Sequence, residues 1–145
     1  MARYWISVAS RDHAMRGAAG GFAQSGHGKR SGLARMHKGD GLIFYSPKRE
    51  YGGDEPLHAF TALGIIADDE IFQVDDSPGF KPFRRRVKFL ATGEVRIEPL
   101  VGDLDFIRNK KSWGYAFRYG LVGIPGKDFN LIAGKMGVTI PLPDP

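Results

Sequence analysis

The chain has 145 residues, 42% of them apolar and 26% charged, with no cysteine and a formal net charge of +5. That length suffices for one domain with its own core, and the lack of cysteine excludes disulfides and thiolate metal or redox sites. No apolar run nears the ~20 residues of a membrane span and no signal-peptide pattern opens the chain, which predicts a soluble cytoplasmic protein with no membrane partner.

The charge is segregated. Residues 1–50 carry nine Lys/Arg and three Asp/Glu, residues 51–76 seven acids and no base, and residues 77–145 twelve bases and six acids. A basic face with an acidic flank is either a nucleic-acid footprint or a solvated surface of high pI.

In chain order, Tyr4 to Ser10 reads as a first strand, with Trp5 and Ser7 on one face and Tyr4, Ile6 and Val8 on the other. Asp12 is placed to cap a short helix over His13 to Ala18, and Gly17 to Gly21 lets the backbone turn or approach a ligand. Phe22 and Gln24 follow, then a basic loop, Gly26 to Arg30, and an amphipathic helix from Ser31 to Lys38 that Gly39 ends. Leu42 to Ser46 is a strand stopped by Pro47, with Leu42, Phe44 and Ser46 on one face and Ile43 and Tyr45 on the other. Leu57 to Ala67 is a long strand in which Gly64 marks a bulge or corner. Asp68-Asp69 reads as a turn, with Ile71 to Val74 as hairpin partner. Arg84 to Leu90 alternates as a strand with one charged face, Arg84, Arg86 and Lys88. Leu100, Leu104 and Ile107 have helical spacing with Asp103 and Asp105 outward. A turn over Asn109 to Ser112 leads to Trp113, then a strand from Phe117 to Ile124 and a final helix capped by Asp128, with Phe129, Ile132 and Met136 inward and Gly137 as its stop. This pattern predicts an α+β fold or small barrel in one domain over 1–145, with 137–145 as a C-terminal tail.

The chemistry is sparse. His13, His27, His37 and His58 show no metal-ligand spacing, and no metal or cofactor is expected. Gly28-Lys29 is not a P-loop, because Ala23 stands where the first glycine belongs and Arg30 replaces the Ser/Thr. What remains is a stackable ring, Phe22, beside glycines and the amide of Gln24, followed by positive charge. Those are ingredients of a pocket for a flat polar ligand beside a phosphate backbone. Ser7 and Ser10 stand as polar edges or as capping hydroxyls. Tyr45, Ser46 and Pro47 form a strand end that lines either a cleft or the core. Phe80 and Phe83 close the pocket from a second side or anchor their loop; Trp5 and Trp113 are read as core before pocket. Lys29, Arg30, Arg84, Arg86 and Lys88 are the candidate phosphate contacts.

The opening Tyr4-Trp5-Ile6, the run Gly21 to Gln24 with His27-Gly28-Lys29, the segment Met36 to Pro47, and Trp113-Gly114 with Phe117-Arg118 together resemble an EVE domain. That family belongs to the PUA-like superfamily and is related to the YTH readers of methylated adenine. The resemblance covers roughly Ala2 to Met136. It implies a small twisted β-barrel with peripheral short helices and a cleft for a modified or flipped base, with Phe22 at the place of a cage aromatic. The implied partner is DNA or RNA carrying a modified base; no oligomeric state is specified. Two alternatives stand beside it. ASCH relatives include small amidohydrolases on acylated cytidine, for which Lys29 or Lys48, Thr61 and Glu50 supply the residue types without a motif joining them. A small-molecule or partner-protein adaptor would use the same cleft.

Overall fold

The computed structural model describes residues 2–25 and 28–138. Gly26 and His27 of the basic loop, and the tail from residue 139, lie outside the described residues. The strands are β1 (Tyr4–Val8), β2 (Phe22–Ala23), β3 (Gly41–Lys48), β4 (Pro56–Gln73), β5 (Phe83–Phe89), β6 (Val95–Arg96) and β7 (Leu121–Ile124). The helices are α1 (Arg11–Gly20), α2 (Arg30–Leu33) and α3 (Gly126–Lys135), with 3-10 helices at Glu98–Asp103 and Trp113–Phe117.

These strands make one seven-stranded sheet in the order β2-β5-β4-β3-β1-β7, with β6 beside β4. Among the described residues only the β1–β3 pair is parallel, because the α1–β2–α2 crossover returns the chain to the same end. The fold is therefore mixed α+β, as expected. The pairings leave β2 and β7 as edges and do not close the sheet into a ring among the described residues.

Alternation distributes the apolar side chains to two faces, as the sequence pattern predicts. Tyr4, Ile6, Ile43 and Tyr45 enter one core cluster with Phe129, Ile132 and Met136 of the α3 side. Trp5, Leu42 and Phe44 enter the other, with Ala14 of α1 and Leu33 and Met36 at α2. A Cβ at Gly64 would lie 2.5 Å from Val87 Cγ1, so this glycine allows β4 and β5 to approach closely.

Several boundaries differ from expectation. Asp68-Asp69 is not a hairpin turn: β4 continues through it with a register shift between Ile66 and Ile71, after which Ile71 pairs with Arg85. The acids stay beside β5 because Arg85 and Arg86 hold them there: Asp68 O accepts from Arg85, and the Asp68 and Glu70 carboxylates accept from Arg86. Pro47 does not stop β3, which continues to Lys48 through a register shift, a position where a missing N–H is tolerated. The helix after the basic loop is one turn, since Asp40 Oδ2 accepts from both His37 N and Trp5 Nε1 at 2.9 Å and draws the chain down to β1. Ser10, not Asp12, is the N-cap of α1. Asp128 does not cap α3; it is fully buried and its carboxylate accepts from the N–H groups of Asp105 (3.0 Å) and Phe106 (2.8 Å). The segment from Phe117 opens as the end of a 3-10 helix and a turn at Gly120 (φ 78°), so β7 starts only at Leu121.

Candidate nucleic-acid interface

β2 is a two-residue edge strand that sets Phe22 opposite Arg86 and Ala23 opposite Arg85 of β5. Arg84, two residues before Arg86, returns its side chain over Phe22, with the guanidinium carbon 3.7 Å from the ring centroid. Its Nε donates to Gln24 Oε1 at 2.6 Å and its Nη2 to Asp76 Oδ1 at 3.1 Å. Arg16 of α1 also donates to Asp76. That hydrogen bond, with the charges of Arg16 and Arg84, holds the Asp76 carboxyl below its usual range despite desolvation. Phe22 is half-buried, and a Cβ at Gly20 would lie 2.5 Å from its Cε2, so the glycine is required for the ring to seat. Phe22, Gln24 and Arg84 are thus brought together in one stacked, hydrogen-bonded group. Phe80 and Pro82 stand against Gly28 at the entry of the basic loop.

The other predicted site residues are distributed differently. Ser7 and Ser46 lie on the Trp5–Phe44 face of the sheet and are buried; Ser46 Oγ shares a 2.8 Å hydrogen bond with Thr61 Oγ1, whereas Ser7 Oγ has no hydrogen bond among the described residues. Ser10 donates to Asp12 at the start of α1, and Pro47 is half-buried in β3. Burial raises the Asp12 pKa, but hydrogen bonds from Ser10 and the backbone N–H groups of His13 and Tyr51 outweigh it and lower the carboxyl overall. Tyr45 points to the opposite face, stacked on Phe117 at 4.2 Å and edge-on to Trp113. Burial, and then the charge of Glu98, push the pKa of its phenol upward. Trp5 is core, Phe83 packs on the second cluster, and half-buried Trp113 joins the core to the surface. Thr61 makes no hydrogen bond with Lys29, Lys48 or Glu50.

The candidate phosphate contacts divide by their partners. Lys29, Arg30 and Lys88 are exposed and make no ion pair among the described residues. Arg84 is paired with Asp76, and Arg86 with Asp68 and Glu70. Arg85 is 2% exposed and is not a surface charge at all: it donates to the carbonyls of Leu33 (3.2 Å), Met36 (2.6 Å) and Asp68, tying α2 to β4.

Two adjoining cavities lie outside the site residues singled out from the sequence. Beside β7 lies a cavity of about 640 Å³ lined by residues including Arg35, Arg108, Trp113, Tyr115, Arg118 and Tyr119. A second, of about 490 Å³, continues past Arg3 and Trp5 and shares Arg35 and Gly123 with the first. The signal was present as interleaved aromatic and basic residues over 108–119.

The chain matches the family model described as EVE domain over residues 3–135. It is 49% identical over 132 residues to a UPF0310 protein of Mycolicibacterium vanbaalenii, covering 91% of each chain. It is 40% identical to UPF0310 protein YdcG of Bacillus subtilis, covering 94% of each. Among solved structures it is similar to Atu2648 of Agrobacterium tumefaciens (TM-score 0.59, 14% identity, 99% of each chain). It is also similar to the YTH domain of the Zygosaccharomyces rouxii MRB1 protein, determined in complex with N6-methyladenosine RNA (TM-score 0.57, 12% identity, 93% of this chain and 86% of that one). At those identities the structural likeness establishes a shared fold. With the family model matching residues 3–135 and a relative 49% identical over 91% of the chain, the chain belongs to the EVE domain family.

Proposed function

We propose that this domain binds nucleic acid and holds a modified or flipped base against Phe22. The observation that carries this reading is the Phe22–Arg84–Gln24 group. A planar, hydrogen-bonding cation sits over a half-buried ring at a sheet edge, and its Nε is fixed by a side-chain amide. A nucleobase is also planar and offers donors and acceptors at its edge, so it suits the same ring and amide once Arg84 swings aside. Stacking on the ring contributes ~1–3 kcal/mol, enough to offset a substantial part of the few kcal/mol that extrusion of a base costs. Ser7, Ser10 and Ser46 are buried, and the Ser10 and Ser46 hydroxyls are bonded to Asp12 and Thr61, so the polar edge beside the ring is Gln24. Tyr45 and Pro47 shape the strand beneath rather than touching the base. Lys29, Arg30 and Lys88 meet phosphates; Arg84 and Arg86 do so only by giving up their carboxylates.

Family membership and the fold shared with a YTH domain seen on methylated RNA support the reading. The test is binding of the purified protein to modified and unmodified DNA and RNA oligonucleotides at two salt concentrations. Preference for one modified base, lost in Phe22→Ala, is expected. Equal binding of all strands, unchanged by Phe22→Ala, would remove the base-holding role.

A further inference from the structure

We propose that the groove beside β7 is a second contact surface for the same nucleic acid, seating the unpaired nucleotides that flank the base held at Phe22. This rests on the nucleic-acid reading above and assigns the path of the strand.

Three observations carry it. The groove is cationic without compensation. Arg35, Arg108 and Arg118 line it, and neither of the two joined cavities has an Asp or Glu in its wall. None of the three arginines, nor the neighbouring Lys111, makes an ion pair among the described residues. Next, it displays stacking surface. Tyr115 and Tyr119 are 64% and 78% exposed, two of the three most exposed large apolar side chains described. Arg118 lies between them, 3.7 Å from one ring centroid and 4.5 Å from the other, steadied by a 2.8 Å hydrogen bond to Tyr115 O. Rings so exposed beside an uncompensated guanidinium match a strand whose bases stack while its phosphates meet arginine. Finally, α2 joins the groove wall to the segment that carries Phe22 and Gln24. A Cβ at Gly32 of α2 would lie 2.8 Å from Ser25 Oγ, next to Gln24, and 3.7 Å from Leu121 Cδ2 in the groove wall. Exposed Lys29 and Arg30 open that same helix.

The groove's own framework is tied down by hydrogen bonds and packing, as a stacking platform requires. Asp128 fixes the backbone at Asp105 and Phe106 just before Arg108, and Lys110 Nζ donates to Val101 O and Leu104 O. Trp113 and Phe117 pack inward on Tyr45. The two tyrosines and Arg118 therefore project from an anchored turn.

The experiment is fluorescence anisotropy with labelled oligouridine and oligothymidine of about 12 nucleotides, between roughly 50 and 200 mM salt. Wild type is compared with Tyr115→Ala/Tyr119→Ala, Arg118→Gln, Tyr119→Phe and Phe22→Ala, with thermal unfolding of each. Loss of two stacks should weaken binding at least about tenfold. Arg118→Gln should lower the log–log salt slope by about 0.7, the value for one phosphate contact on a single strand. Tyr119→Phe keeps the ring and should bind like wild type. If wild type binds and Phe22→Ala weakens it while Arg118→Gln and the double tyrosine variant bind unchanged, the groove is not part of the path and the base site stands. If wild type binds neither strand, both this inference and the nucleic-acid reading fall. A groove that instead takes an acidic protein segment gives the first of these results.

Discussion

Arg84, Arg85 and Arg86 are consecutive, and none of them is a free charge. Arg35 is far in sequence from Arg108 and Arg118, yet the three meet on one groove with no acid in its wall. The difference lies with the acidic block, residues 51–76. In the folded chain its members Asp68, Glu70 and Asp76 lie against β5 and pair with Arg84 and Arg86. A dense basic run is thereby turned into structure, while isolated arginines keep their field. Surface potential follows the uncompensated charges, not the local count of arginines.

The largest test of this contrast is of stability. Arg85→Met removes a buried cation from the carbonyls of Leu33 and Met36. Each buried acceptor left unpaired costs ~1–3 kcal/mol, so a loss on the order of 3 kcal/mol is expected in urea unfolding. Arg118→Gln, at an exposed site, should stay within about 0.5 kcal/mol of wild type. Equal losses would show that the two arginine sets are not different in kind.

Next in size is Phe22→Ala. Binding of the preferred oligonucleotide should weaken by ~1–3 kcal/mol, the worth of one stack. Its unfolding midpoint should move less than that of a core aromatic, whose truncation costs ~3–5 kcal/mol. A collapse in stability with no ligand-specific change would make Phe22 a packing residue.

A smaller effect should come from freeing a paired cation. Asp68→Asn/Glu70→Gln strips the carboxylates from Arg86. If pairing is what silences β5, the salt slope on a single strand should steepen by about 0.7. An unchanged slope means β5 faces away from the strand whatever its charge.

The smallest is a pH effect. Asp76 has a folded pKa below its ordinary 3.8, chiefly through the Arg16 hydrogen bond. Its contribution is therefore present above about 3.8 and is lost as pH falls through the lowered value. Asp76→Asn should be less stable than wild type near neutrality and show a flatter acid limb in unfolding at stepped pH. Identical limbs would mean that the Arg16–Asp76–Arg84 group adds nothing to folding.

Much of the fold was legible because alternation is local. Tyr4, Ile6, Ile43 and Tyr45 go to one face and Trp5, Leu42 and Phe44 to the other, as their spacing requires. The 68–69 segment misled because two adjacent aspartates look like a turn until Arg85 and Arg86 are set across from them. Asp128 misled for a related reason: a carboxylate in a first helical turn resembles a cap, and only tertiary structure brings the N–H groups of Asp105 and Phe106 to it. At the site, the pairing of Phe22 with Gln24 was readable from their spacing, but the arginine that covers the ring comes from β5. Part of the β7 groove was legible as the aromatic and basic run over 108–119, but Arg35 joins it from the turn after α2, a meeting that no window of sequence contains.

The most direct measurement is the salt dependence of single-stranded oligonucleotide binding for two matched double variants, Arg35→Gln/Arg118→Gln and Arg84→Gln/Arg86→Gln. Each removes two positive charges. The uncompensated groove pair should flatten the log–log slope by about 1.4, two contacts' worth, and the carboxylate-paired β5 pair by less than about 0.7. The reverse order, with β5 carrying the larger change, would contradict the claim that compensation by the acidic block decides which face of this domain meets nucleic acid.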